Sequence, residues 1–408
     1  MPYLAQSREF ILRKINLQQG IVVALCLLCL TTVAIAQQSI FGTNNYVEYQ
    51  VGTLPFVISV PHGGSLEPFS IPTRTCNNAV NVNDALTIET ALEIRNRFFA
   101  ITGCYPHIII SHLRRTKLDP NRNLADAACG NSQAIVAWNE FHNFIATARN
   151  IANQQYNNQT LFVDLHGHGN PIQRIELGYL LRDDELELSD SILNTAKYLG
   201  YSSIRNLALS NASNSTHAQL LRGSKAFGTL LTNNNFPTVP SQNIPFPGIT
   251  SNYFSGGYIT ANHTCYAPGV QINGFQMELN FTNLRDTPAR RTAFAVAFTQ
   301  AMIEYMNTHF TMNWNACRPL STGNNSRNSS PEFYPNPAKK GDFVTLDVPQ
   351  GNRYHYTIFD LTGHTLATGQ LGIGKGTIST ENLPSGVYLL QVSTMQHTIV
   401  MIRKLIVQ

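Results

Sequence analysis

The sequence predicts an α/β domain, an open and mainly parallel sheet flanked by helices, followed by a small Ig-like β-sandwich. Three observations carry this expectation. Up to about residue 310, short uncharged runs rich in β-branched residues alternate with stretches of helical period. Residues 318–332, RPLSTGNNSRNSSPE, then lose all periodicity and read as a linker. Beyond them, alternating runs cut by glycine (TLDV, YHYTIFDLTG, GVYLLQV) read as closely spaced short strands.

The first element is an export signal. Arg8, Arg13 and Lys14 precede an uncharged run from Gly20 to Ile35, and Ala34-Ile35-Ala36 offers a small-residue cleavage site before Gln37. The run is short for a membrane span, which needs about 20 residues, so no stable span is expected after removal. Of the 408 residues 43% are apolar, enough for a sizeable core, and only 13% are charged. Removing residues 1–36 leaves 25 Lys+Arg against 23 Asp+Glu, and no basic stripe argues for nucleic acid. Cys76, Cys104, Cys129, Cys265 and Cys317 remain in the exported chain. Some of them are expected to pair outside the cytosol, while Cys104, beside an apolar strand, reads as a buried thiol.

Strands are expected at Leu54–Val60, His107–Ser111, Leu161–Leu165 and Gly274–Asn280. The spacing of Ile88, Leu92 and Phe99, with Ala91, Ile94 and Phe98, predicts a helix over Asp84–Phe99, capped by Asn83 or Asp84. Further helices are expected over Ala134–Ile151 and Pro288–Phe310.

Polar clusters follow the strands, where ligands collect in open α/β sheets. They are Pro61-His62-Gly63-Gly64, the stretch Arg114 to Arg122 (RRTKLDPNR), Asp164-Leu165-His166-Gly167-His168-Gly169, and Glu278 within QMELN. Two imidazoles, one carboxylate and a water make an open Zn²⁺ site. A carboxylate inside an apolar strand is costly unless it is paired or catalytic, and Glu278 is the candidate general base. His168 points to the other side of an extended chain, and His112 and His142 have no evident partners. Arg174 and Glu176 either face the pocket or pair with each other.

These motifs resemble the N-formylglutamate amidohydrolase family, within the zinc-carboxypeptidase-like hydrolases, over roughly residues 52–310. The resemblance implies Zn²⁺ held by His62, Asp84 and His166, with Glu278 as base. It implies a substrate carboxylate held by Arg115, Asn121 and Arg122, with Arg114 and Arg174 as further candidates. Carboxypeptidases place a Glu three positions after the first His, where this chain has Ser65. The formylglutamate family draws an Asp from the start of the next helix, which Asp84 in NVNDALTIE matches, with Glu89 and Glu67 in reserve. The expected activity is hydrolysis of an amide in a carboxylate-bearing substrate: an N-formylglutamate-like compound, an acyl-amino acid or a peptide. A metallocarboxypeptidase acting on peptides or cell-wall fragments, and a non-catalytic binding protein on the same scaffold, are the alternatives.

Residues 333–408 resemble the C-terminal sorting domain of type IX secretion substrates. The carrying residues are Tyr334-Pro335-Asn336-Pro337-Ala338, Asp360-Leu361-Thr362-Gly363 and Leu383-Pro384-Ser385-Gly386-Val387-Tyr388. This implies a partner in the type IX machinery and delivery across the outer membrane. The expected division is a signal peptide at 1–36, a metallohydrolase domain at 37–317, a linker at 318–332 and a sorting sandwich at 333–408.

Overall fold

The computed structural model describes residues 37–76, 79–248, 252–310, 312, 332–348, 353–360, 364–395 and 399–408. The expected export signal, Cys317, most of the expected linker and Leu361-Thr362-Gly363 lie outside the described residues.

Strands β1 (Ser39–Phe41), β2 (Val47–Gln50), β3 (Phe56–Val60), β4 (His107–Ser111), β5 (Leu161–His168), β6 (Ile175–Gly178), β7 (Thr238–Val239) and β8 (Asn273–Asn280) form one sheet. Its order is β1-β2-β4-β3-β5-β8-β6-β7. The central neighbours β4, β3, β5 and β8 run parallel. Their side chains are buried on both faces, which is why FVISV and HIIIS read as nearly unbroken apolar runs. Ile58 and Val60 face a layer built by helices α1 (Thr87–Thr102) and α5 (Pro288–His309), through Ala91, Ile94, Phe294 and Phe298. Val57, Ile109 and Phe162 face the opposite layer, where α3 (Ser132–Gln155) contributes Phe141 and Ile145. Two shorter helices, α2 (Leu124–Ala128) and α4 (Tyr258–His263), border the loops at the strand ends. Among the described residues no helix is long and apolar enough to cross a membrane.

Several expected boundaries shift. Helix α1 begins at Thr87, not Asp84, and Leu86 at its N-cap has φ 65° and no side-chain cap bond. The turn before it is held by main chain, Asp84 N donating to His62 O at 3.1 Å. Neither Asn83 nor Asp84 caps the helix, and the Asp84 carboxylate is left for other work. Strand β5 runs on to His168, three residues past the expected end. Helix α3 starts at Ser132 because the Asn131 side chain accepts from Gln133 N and Ala134 N. The antiparallel hairpin β1–β2 and a run of short helices between Asp183 and Asn233 were not expected. These are pieces of three to seven residues, too short for a hydrophobic period to accumulate.

The tail holds β9 (Glu332–Tyr334), β10 (Phe343–Asp347), β11 (Tyr354–Phe359), β12 (Thr365–Leu371), β13 (Lys375–Ser379), β14 (Gly386–Thr394) and β15 (Ile399–Val407). They form two antiparallel sheets, β13-β10-β9 and β12-β11-β14-β15. Val344, Leu346, Ile358, Leu390 and Leu405 fill the core between them. Asn336 of the Tyr-Pro-Asn-Pro-Ala motif donates to Lys404 O at 2.8 Å and accepts from Ile406 N at 2.9 Å. The motif thereby fastens the first strand's exit to the last strand.

Candidate metal centre

The carboxyl ends of the parallel strands deliver the polar side chains. His62 follows β3 by two residues, and His166 lies on β5 opposite Glu278 on β8 in the strand register. Ser59 lies opposite Asp164, to which its hydroxyl donates at 2.7 Å. The coil between β3 and α1 brings Asp84 across the top.

His62, Asp84 and His166 each place a ligand atom within 4.8 Å of the others. Both Nδ1 atoms face Asp84 Oδ2, at 3.2 Å from His62 and 3.0 Å from His166. Each ring is gripped from behind by a buried carboxylate. His62 Nε2 lies 2.7 Å from Asp119 Oδ1, and His166 Nε2 lies 3.1 Å from Asp164 Oδ2. A carboxylate behind an imidazole fixes its orientation and leaves the other nitrogen's lone pair free to bind metal. Two imidazole nitrogens and a carboxylate oxygen bordering an open cleft are the donor set of a three-ligand zinc site with room for water. The residues present therefore fit Zn²⁺.

Charge is dense and buried here, so each group shifts its neighbours. Burial alone would raise the Asp84 carboxyl, but the charges and hydrogen bonds of His62 and His166 hold it well below the usual range. Burial works against protonation of His166, yet Asp164, Asp84 and Glu278 raise it well above an ordinary histidine. Burial pushes Glu278 up to about 8, helped by Asp84 and Asp164 and opposed by His166 and Arg115. Its Oε1 stands 4.0 Å from His166 Nδ1 and accepts from Gln276 Nε2 at 3.0 Å. Such a carboxyl, beside the candidate ligands and facing a cleft, is placed to take up and release a proton.

The cleft over these groups measures about 590 Å³ and is lined by His62, Asp84, His166, Glu278, Arg115, Asn121 and Arg122, among others. Arg115 is committed to the site itself, its Nε donating to Asp119 at 3.0 Å and its Nη1 standing 3.7 Å from Asp84. The Asn121 amide is also occupied: Oδ1 accepts from Ile259 N at 2.9 Å, and Nδ2 stands 3.3 Å from His166 Nε2. A Cβ on Gly257 would come within 2.4 Å of that amide, so only glycine lets the chain pass there. Arg122 lines the cleft and, among the described residues, has no carboxylate partner; its Nη1 donates to Asn121 O. Arg114 is brought instead to the surface beside Glu67, a pair that also occupies that reserve ligand. Arg174 is buried off the cleft, paired with Glu176 at 3.3 Å. Glu89, the other reserve, sits in the first turn of α1 outside the cleft lining.

Several site residues carry no role in the sequence reading. Asp119 and Asp164 are the orienting carboxylates. Arg285, buried and lining the cleft, donates to Ala85 O, to His168 O at 3.0 Å and to Leu279 O at 3.2 Å. It ties the segment beside Asp84 to the ends of β5 and β8. A Cβ on Gly167 would lie 2.3 Å from its Cζ, which explains the first glycine of the His-Gly-His-Gly motif. Cys76 and Cys129 form a disulfide, joining the coil that leads to Asp84 to the end of α2; Cys104 and Cys265 are buried thiols. His168 bonds Arg174 O and Asn170 N and does not reach the cluster. His112 finds Glu48, and His142 finds His263 and Pro120 O.

A family described as a secretion system C-terminal sorting domain matches residues 332–408. The tail is thus a type IX secretion signal, and the protein is carried across the outer membrane to the cell surface or beyond. No curated protein matches the chain.

Proposed function

We propose that the protein is an exported, zinc-dependent amidohydrolase that cleaves an amide bond in a carboxylate-bearing substrate. The supporting observation is the convergence of His62, Asp84 and His166 to within 4.8 Å beside the buried Glu278. The motif resemblance to N-formylglutamate amidohydrolases points the same way. A divalent ion at this donor set supplies Lewis-acid polarisation of the amide carbonyl and lowers the pKa of water.

The chain's own groups supply the rest. Asp119 and Asp164 hold the two imidazoles in the tautomer that presents Nδ1. In its ionised form Glu278 takes a proton from the attacking water and passes it to the leaving nitrogen as the C–N bond breaks; the new acid's proton then goes to the amine, so that water and amide become a carboxylate and an ammonium group. Arg122 offers its guanidinium to the substrate carboxylate, fixing which amide lies over Glu278. The test is hydrolysis of N-acyl amino acids by protein of known zinc content. Glu278→Gln should retain zinc while losing at least about a hundredfold in kcat. A Glu278→Gln protein as active as the parent would rule the mechanism out.

A further inference from the structure

We infer that the domain carries a second site, for an acidic saccharide, apart from the metal cleft. A cavity of about 360 Å³ lies between the last turns of α3 and the turn before β8, and the two have no described lining residue in common. Its volume is in the range of about 300–1,000 Å³ typical of small-molecule sites. Two of its lining residues, Asn158 and Gln271, precede β5 by three residues and β8 by two. The cavity therefore sits where those strands begin, whereas His166 and Glu278 lie in their later halves.

The anchor is Arg149, which lines the cavity and, among the described residues, has no carboxylate partner. Its Nη1 donates to His263 Nδ1 at 3.2 Å. His263 Nε2 lies 2.7 Å from His142 Nδ1, and His142 Nε2 lies 3.1 Å from Pro120 O. A guanidinium only donates and a carbonyl only accepts, so both rings are neutral, each accepting at Nδ1 and donating from Nε2. Burial agrees, holding His142 at about 4 and His263 well below an ordinary histidine. The guanidinium is thus fixed in place by groups that carry no negative charge, and a cation drawn from water without an acid is costly. Its Nε–Nη2 edge, the edge that meets a carboxylate side-on, is engaged by no protein group among the described residues.

The rest of the lining is largely amide. Asn153 and Gln154 in the last turn of α3, Asn157 and Asn158 just after it and Gln271 across the cavity each offer a carbonyl acceptor and two N–H donors. Such arms match the neighbouring hydroxyls of a sugar ring, and the partly buried Val270 offers its C–H groups an apolar surface. The carboxyl end of α3 brings about half a negative charge, which the full charge of Arg149 outweighs. A neutral sugar would leave that cation unpaired, and a simple anion would leave the amides to water. One anionic group among several hydroxyls uses the whole lining.

The experiment is calorimetric titration of the zinc-loaded, full-length protein with glucuronate, glucose 6-sulfate, glucose and acetate. The inference expects one of the two acidic sugars to bind at least about tenfold more tightly than both glucose and acetate, and these two arms tell which anion is taken. Arg149→Gln should abolish that preference. Gln271→Ala, at an exposed position where folding is undisturbed, should weaken the acidic sugar about fivefold. Arg122→Ala should leave its affinity unchanged. Loss of binding in Arg122→Ala but not in Arg149→Gln would place the sugar in the metal cleft and overturn the inference. Equal affinities for acidic and neutral sugars, or no binding of either acidic sugar by the parent, would overturn it as well. None of these outcomes bears on the hydrolase reading.

Discussion

Gly167 and Gly169 are two residues apart in one motif, yet they should respond oppositely to alanine. A Cβ on Gly167 meets Arg285 at 2.3 Å from Cζ, 2.5 Å from Nη2 and 2.6 Å from Nη1. Ordinary contact between such atoms begins near 3.5 Å. Arg285 cannot swing aside freely, because it is 2% exposed and bonded to Ala85 O, His168 O and Leu279 O. Relief requires it to release two of these charged hydrogen bonds, at about 3–6 kcal/mol in all. At roughly 2–4 °C per kcal/mol in a domain of this order of size, Gly167→Ala should lower the melting temperature by about 10 °C. Gly169 has no atom within 4 Å of its added Cβ, so Gly169→Ala should stay within about 1 °C of the parent. Thermal unfolding in chelator keeps metal out of the comparison. If Gly167→Ala melted with the parent, or the two variants fell equally, Arg285 would not be the strut described.

Three further perturbations test other parts of the molecule. Asp119→Asn removes the charge behind His62 and should weaken zinc about 10- to 100-fold in a chelator competition; unchanged affinity would deny the carboxylate its orienting role. Burial works against the Glu48 carboxylate, but hydrogen bonds from His112, Ser39 and Gln50 and the charge of His112 pull it down to about 2. Its contribution is present above the ordinary range near 4.5 and is lost as pH falls toward 2. Glu48→Gln should hence cost about 1–2 kcal/mol at pH 6 and almost nothing near pH 2, read from denaturant midpoints, and a pH-independent cost would contradict this. The Cys76–Cys129 disulfide spans a sequence separation of 53 residues, so the double Ser variant should lose up to about 4 kcal/mol in urea. No loss would mean that the coil is held by its hydrogen bonds alone.

Much of this arrangement is legible in the sequence itself. The central strands were readable because both their faces are buried, leaving apolar runs such as HIIIS whose ends fall where the polar motifs begin. His62 and His166 stood out because each follows or ends such a strand and is flanked by glycine. Asp84 was harder, since Asp at the start of a helical period normally signals a cap. Only the Leu86 backbone, already left-handed before α1, removes it from that role. Asp119 sits in a quoted motif, but its work behind the His62 ring depends on a contact across 57 residues that no local pattern encodes; Asp164 is only two residues from His166, and what the sequence does not tell is that its carboxylate folds back onto the ring. Arg285 was invisible for a similar reason: its partners are backbone carbonyls from three separate segments, and an arginine near a helix start reads as surface charge. Asn121 and Arg115 were recognisable as site residues, but spacing could not tell that their polar atoms are consumed within the site.

The Cys76–Cys129 link has a bearing on where the molecule becomes complete. Thiols in a reducing cytoplasm stay apart, whereas beyond the inner membrane they are oxidised. The segment delivering Asp84 belongs to neither a helix nor a strand, so its covalent fastening to α2 waits for departure from the compartment of synthesis. The segment that carries Asp84 is therefore covalently fixed only once the chain has left the compartment where it was made.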